Sequence, residues 1–342
     1  MSPPRSARSG IIAGGNWIID HVKLIDGWPP QETLANIRSE SWSNGGAPYN
    51  LLKDLARLGG SIPLAAIGLV GNDADGERIL DDCRRHGIDT AQLRRTAEAP
   101  TSYSDVMTDA ATGRRTFFHA RGANALLGPE HFDFSATPAR IFHLGYLLLL
   151  DRLDRLVNGW PCVGDVLRRA SAAGLLTSID CVSENSDRFQ AVVRPVLPGV
   201  DVLFANDFET EKITGAALRS PADGSIRRPE VEAAARALAD LGVRRWVVLH
   251  FPEGAYAVDP AGRGHWQPSL HVPPEAVRGT AGAGDAFASG VLHGLHEEWP
   301  IDRALRLGVC AAASSLSDPT CSAGVLPVDA CLRLPAAYGW RE

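Results

Sequence analysis

Apolar positions along this chain fall into short, nearly continuous runs, separated by stretches in which they recur every three or four residues. The runs at 10–16, 61–71, 141–150, 175–182, 201–206 and 244–251 are apolar through most of their length, as strands covered on both faces tend to be. Between them, 49–58, 77–86, 162–173 and 230–241 carry helical spacing. The first of these helices places Leu51, Leu52, Leu55 and Leu58 on one face and stops at Gly59-Gly60. Alternation of this kind predicts an α/β fold with a mostly parallel sheet and helices on both sides.

Two stretches, 21–43 and 100–124, break the rhythm with alternating residues and turns such as Ala110-Ala111-Thr112-Gly113. They read as β-hairpins leaving the main sheet, placed to form a small lid over the carboxyl ends of the strands, where ligands bind in such folds. There is no internal repeat and no low-complexity linker, so one domain over 10–342 with this lid is expected. The Pro/Ser/Arg-rich residues 1–9 are expected to be a disordered tail.

The last strong helical pattern, 286–297, repeats Phe287, Val291 and Leu295 and is preceded by Gly279-Thr280-Ala281-Gly282-Ala283-Gly284-Asp285. A glycine-rich turn at a helix N-terminus exposes unpaired N–H groups on the positive end of the helix dipole, which suits a phosphate. A carboxylate in that place is repelled by a polyphosphate unless it takes a proton from whatever attacks the phosphorus. Taken alone, the run is more often a tight turn with a dipole-stabilising Asp. It is not a Walker loop, since no Gly-Lys-Ser/Thr follows.

Three other polar clusters stand out. Gly14-Gly15-Asn16 is followed by Asp20, an amide and a carboxylate able to bond adjacent sugar hydroxyls or simply to face water. Gly45-Gly46 leads to Asn50 at the start of the leucine-faced helix, a helix cap or a ligand site. Asn206-Asp207-Phe208-Glu209 is a capping box in form, and its side chains are also placed to hold a hydrated Mg²⁺.

Composition narrows the choice of function. With 45% apolar and 22% charged residues and a net charge of −6, the chain reads as a globular enzyme without the basic footprint of a nucleic-acid binder. The six cysteines show no C-x-x-C pair or zinc spacing and read as reduced thiols in a cytoplasmic protein. The longest apolar run is too short to cross a bilayer.

In this order, the clusters resemble the ribokinase/PfkB family of carbohydrate kinases from about residue 10 to 327. Gly45-Gly46 with Asn50 and Leu55-Ala56-Arg57-Leu58-Gly59 is similar to that family's first signature, and Gly282-Ala283-Gly284-Asp285-Ala286-Phe287 to its second. Between them lie Arg121-Gly122-Ala123-Asn124, Asn206 with Glu209, and Thr214-Gly215. The resemblance implies a ribokinase-like three-layer αβα sandwich with a small β lid, and ATP-dependent phosphorylation of a hydroxyl on a sugar-like alcohol. It makes Asp285 the general base and Gly282, Ala283 and Gly284 the anion hole. It assigns Asn16, Asp20, Gly45, Gly46, Asn50, Arg121 and Asn124 to the acceptor. Thr280, Gly282, Gly284, Asn206, Gly254, Cys310 and Ala311 would meet the nucleotide, and Asn206 and Glu209 would organise Mg²⁺.

The partners implied are a small sugar-like molecule and ATP, with no nucleic acid or membrane. A homodimer through the lid is left open. Gly279 replaces an Asp that helps bind a monovalent cation in the family, which leaves K⁺ activation open. Of the family's Gly-x-x-Gly after the nucleotide-side strand, only Gly254 remains, in Leu249-His250-Phe251-Pro252-Glu253-Gly254. The spacing of Asn16 and Asp20 favours a nucleoside kinase as the alternative, with Trp17, Trp28, Trp42, Phe117 and Phe118 available for a base pocket. A non-catalytic sensor of sugars or nucleotides is the alternative of another class. A NAD-dependent dehydrogenase is disfavoured, since no G-x-G-x-x-G follows the first strand.

Overall fold

A computed structural model describes residues 8–341. The chain enters through β1 (Ile11–Gly15), leaves the sheet as the hairpin β2 (Ile18–Ile25) and β3 (Ile37–Gly45), and returns through α1 (Ala47–Leu58) to β4 (Leu64–Gly71). After α2 (Ala74–Arg85) and β5 (Ile88–Thr96), a second excursion forms β6 (Ser102–Asp109) and β7 (Arg115–Ala120). Next come β8 (Ile141–Leu147), the short α3 (Asp151–Asp154), the two-residue strands β9 (Leu156–Val157) and β10 (Trp160–Pro161), and α4 (Val163–Ala172). β11 (Leu176–Cys181), β12 (Val202–Asn206), α5 (Asp207–Thr214), α6 (Arg228–Asp240) and β13 (Trp246–Phe251) complete the parallel part. The antiparallel edge β14 (Gly254–Val258) and β15 (Gly264–Pro268) precedes α7 (Ala283–His296) and α8 (Ile301–Ser315).

The main sheet runs β15-β14-β13-β12-β11-β8-β1-β4-β5. From β13 to β5 all neighbours are parallel. Apolar side chains leave both faces of its central strands. Leu144, Ile179 and Leu203 pack against Leu167 of α4 and Leu238 of α6. On the other face, Ile11, Ala66 and Phe204 pack against Leu51 of α1, Phe287 of α7 and Leu307 of α8. Two separate cores on one sheet make the three layers. The direction of winding reverses between β1 and β8, and a crevice opens at the carboxyl ends of strands there.

A second sheet, β3-β2-β6-β7, forms the lid. It takes in Ile18–Asp20 and Asn44–Gly45, which the expected lid segments omit, while 122–126 is a 3₁₀ turn outside it. Elsewhere, β4 begins at Leu64 rather than 61, and β8 ends at Leu147 because Leu148 turns out of the strand with φ 75°. Of the expected tail, residues 1–7 lie outside the described residues. Arg8 is buried, its guanidinium donating to the carbonyls of Thr137 and Ala139.

Candidate active site

A cavity of about 450 Å³ lies between the lid and the carboxyl ends of the strands. Its roof follows from strand register. Ser43, Asp20, Ser104 and His119 stand opposite one another across β3, β2, β6 and β7, so they share one face of the lid. Of these, Asp20, Ser104 and His119 line the cavity, and Ser104 Oγ lies 3.1 Å from His119 Nδ1. Burial pushes the Asp20 carboxyl up to about 7, with Ser104 and Arg115 pulling the other way. Burial also lowers the His119 pKa, so its ring is a neutral wall rather than a cation.

Gly45 and Gly46 close the side of the cavity next to α1. A β-carbon on Gly45 would stand 2.7 Å from the Asp20 carboxylate, and one on Gly46 would stand 2.1 Å from the Asn16 carbonyl. Gly46 also holds φ 87°, a conformation that side chains oppose. Glycine at both places is what lets the lid hairpin meet the first turn of α1.

The floor is the start of α7. Gly282, at φ 77°, turns the chain into the helix with the Cys321 carbonyl only 2.4 Å from where a β-carbon would be. Helix geometry begins at Ala283, three residues earlier than the apolar pattern indicates, so Asp285 lies in the first turn. The Ala283 N–H already makes a long bond to the Thr280 carbonyl at 3.4 Å. Those of Gly282, Gly284 and Asp285 have no backbone acceptor among the described residues, so of the three expected donors Gly282, Ala283 and Gly284 only Ala283 is engaged.

The Asp285 side chain is 3% exposed. Its Oδ2 accepts from Asn50 Nδ2 at 2.7 Å and from the Tyr146 hydroxyl at 2.8 Å. Burial raises the Asp285 pKa to about 7, the nearby Asp180 adds to the rise, and the two hydrogen bonds restrain it. Asp180 is itself buried and shifted upward, with His143 Nε2 3.4 Å from its Oδ2 as partial compensation.

Asn206 and Glu209 are both a capping box and a polar wall. Asn206 Oδ1 accepts from the Glu209 N–H, while the Glu209 carboxylate accepts from the Asn206 N–H and Nδ2 and from Ser183 Oγ. Burial overrides these donors and lifts Glu209 to about 8. No cluster of three or more His, Cys, Asp or Glu among the described residues could form an all-protein metal cage. A buried carboxyl whose bonded partners are all neutral donors, beside an amide oxygen, fits Mg²⁺ held through water and phosphate oxygens.

Asp20, Gly45, Gly46, Asn50, Thr280, Gly282, Ala283, Gly284, Asp285, Asn206 and Glu209 therefore converge on one cavity. Other expected site residues do not line it. Asn16 is fully buried and donates to the Tyr146 carbonyl at 3.1 Å. Asn124 is also fully buried, with both amide atoms bonded to the Trp17 backbone, which ties the lid's base to β1. Arg121 pairs with Asp151 at 3.1 Å. Gly254 opens β14 against Gln267, and Cys310 and Ala311 are sealed in the core between α8 and the sheet. Of the aromatics proposed for a base pocket, only Phe117 reaches the cavity, and Trp17 is buried with its indole N–H on the Ile67 carbonyl.

Tyr146, Asp180, Ser183, Ser104 and His119 line the same cavity, and motif reasoning passes over them. The sequence signal available was position. Asp180 and Ser183 stand near or just past the end of an apolar run, as Asn206 does, while Tyr146 lies inside one.

Comparison with known proteins places this architecture in a single class. The chain belongs to the pfkB family of carbohydrate kinases, whose profile matches residues 11–328. It is 28% identical over 306 residues to an ATP-dependent ribose-1-phosphate kinase of Halopiger xanaduensis, covering 89% of this chain and 91% of that protein. It is 29% identical to probable fructokinase-7 of Arabidopsis thaliana, with 85% and 80% covered. The fold is shared with an Arabidopsis thaliana ribokinase solved with ribose and ATP, at TM-score 0.78, 19% identity, and 96% and 98% coverage. The chain is thus an ATP-dependent carbohydrate kinase on the ribokinase fold. No helix of the described residues is long and apolar enough to cross a membrane.

Proposed function

We propose that a sugar hydroxyl enters the cavity under the Asp20–Ser104–His119 roof and is phosphorylated there by ATP, with Asp285 as general base. The observation that carries this reading is the buried Asp285 carboxyl beside the unbonded N–H groups of Gly284 and Asp285. The acceptor O–H gives its proton to Asp285 as its oxygen bonds to the γ-phosphorus, and the bond from phosphorus to the β,γ-bridging oxygen breaks to release ADP. A base with a pKa near 7 is suited to this proton at neutral pH. The two N–H groups stabilise charge on the transferring phosphoryl group, the kind of positioning and electrostatics on which phosphoryl transfer depends. Asn206 and Glu209 would hold Mg²⁺, which supplies charge neutralisation on the ATP phosphates. Asp20 and Asn50 orient the acceptor and the base respectively.

The outer face of the lid, where Trp28, Trp42 and Phe118 are exposed, we read as a surface for a second copy of the chain. Asp285→Asn tests the central reading. It is expected to lower turnover by about 10²–10⁴-fold in an ADP-release assay, with sugar binding by calorimetry largely kept. Near-normal turnover in that variant would sink the assignment.

A further inference from the structure

We propose that Tyr146 is a positioning residue for the general base, acting with Asn50 to occupy Oδ2 of Asp285 and leave Oδ1 as the oxygen that takes the acceptor's proton. The inference rests on the reading of Asp285 as base. Both donors meet the same carboxylate oxygen, Asn50 Nδ2 at 2.7 Å and the Tyr146 hydroxyl at 2.8 Å, and Oδ1 has no donor among the described residues. Each donor is itself held. Asn44 Nδ2 donates to Asn50 Oδ1 at 2.6 Å, which fixes the amide so that its NH₂ faces Asp285. Asn16 Nδ2 donates to the Tyr146 carbonyl at 3.1 Å, anchoring the backbone that carries the ring. The carboxylate therefore cannot turn without breaking two bonds whose partners are fixed elsewhere. A base that keeps one oxygen toward the acceptor avoids a reorganisation at the moment of transfer.

The other titratable groups near Asp285 are Asp180 from β11, Asp54 from α1, Cys321 and His250. None is a cation that could substitute for the Tyr146 donor. Burial and the neighbouring carboxylates push the phenol's own pKa well upward, so it remains a donor at every working pH.

The test is Tyr146→Phe, which keeps the ring and removes the hydroxyl, assayed beside Asp285→Asn by ADP release across pH. Loss of a hydrogen bond to a charged group is expected to lower kcat about 10- to 100-fold. Losing a donor to the charged form should move the acid limb of kcat upward by about one unit, with the KM for sugar changed far less. If Asp285→Asn is inactive but Tyr146→Phe keeps the wild-type kcat and acid limb, the positioning role is wrong. A rise in KM alone makes Tyr146 an acceptor contact and overturns it equally. Near-normal turnover in Asp285→Asn overturns the base reading itself, and the positioning role with it. Thermal melting of Tyr146→Phe close to wild type is expected, since the packed ring remains.

Discussion

At the scale of single residues, the site depends on carboxyl groups that burial has made weak acids. Asp285 and Asp20 both lie near pKa 7, and their effects on rate separate by what each touches. The fraction of Asp285 able to accept a proton falls as pH drops through about 7, so kcat should decline below that pH with unit slope. His250, which burial lowers to about 4, cannot produce this limb, and burial shifts His119 downward, away from it. Asp20→Asn should raise the KM for sugar and leave the acid limb of kcat in place, since kcat reports the complex in which the acceptor is already bound. Steady-state rates from pH 5.5 to 9, the range about both carboxyls, check this; loss of the limb in Asp20→Asn would move the base from Asp285 to Asp20. Asp285, Asn50 and Asp20 were legible in the sequence because they belong to short local patterns beside glycines. Tyr146 and Asp180 were not. Their closeness to Asp285 depends on β8 and β11 lying side by side, a pairing of chain segments that no local pattern encodes.

At the scale of elements, most of what could be read tracked burial on both faces, although β14, buried along its whole length, was missed. The six apolar runs became β1, β4, β8, β11, β12 and β13, all interior strands of the sheet. The edges were missed for a physical reason. β5 mixes Asp89, Gln92, Arg94 and Arg95 with a buried Leu93, and β15 is polar and half-exposed, so neither presents the continuous apolar run of a covered strand. The start of α7 was hidden by small residues without periodicity, although those residues build the turn that floors the cavity. At the head of α5, the same Glu209 both caps a helix and faces the cavity, and the two roles make opposite demands. Its folded-state pKa of about 8 exceeds the unfolded value near 4.5, so the folded protein binds the extra proton between these pH values. Glu209 is therefore no burden below about pH 4.5 and costs stability as pH rises through 8. Glu209→Gln is expected to melt a few degrees higher than wild type at pH 9 without Mg²⁺, with the difference gone at pH 5, and to need far more Mg²⁺ for turnover. Calorimetric melts at the two pH values, with a Mg²⁺ titration of the rate, decide it; a variant less stable at pH 9 would mean that the cap outweighs the buried charge.

At the scale of the whole molecule, the lid divides its residues between two faces by the period of a strand. Phe117 and His119 of β7 face the cavity, while Phe118 between them lies on the opposite face. There, register puts Trp42, His21, Asp105 and Phe118 in one row, and Trp28 stacks on Phe118 with ring centroids 6.1 Å apart. Trp28, Trp42 and Phe118 are 51%, 41% and 52% exposed, large aromatics at the two edges of one face, with His21 and Asp105 between them, that a monomer has little reason to leave in water. The hairpins that carry it also carry the cavity roof, so covering the outer face would hold Asp20, Ser104 and His119 in place. Self-association and acceptor binding should then be linked. Trp42→Asp, which puts a charge into that row without touching the cavity, is expected to shift the sedimentation coefficient from dimer to monomer and to raise the KM for sugar. The kcat at saturating sugar should change much less, because α7 and the base lie in the other layer. A wild-type chain that sediments as a monomer at assay concentrations would remove the dimer, and an unchanged KM in a monomeric variant would remove the link between the two faces.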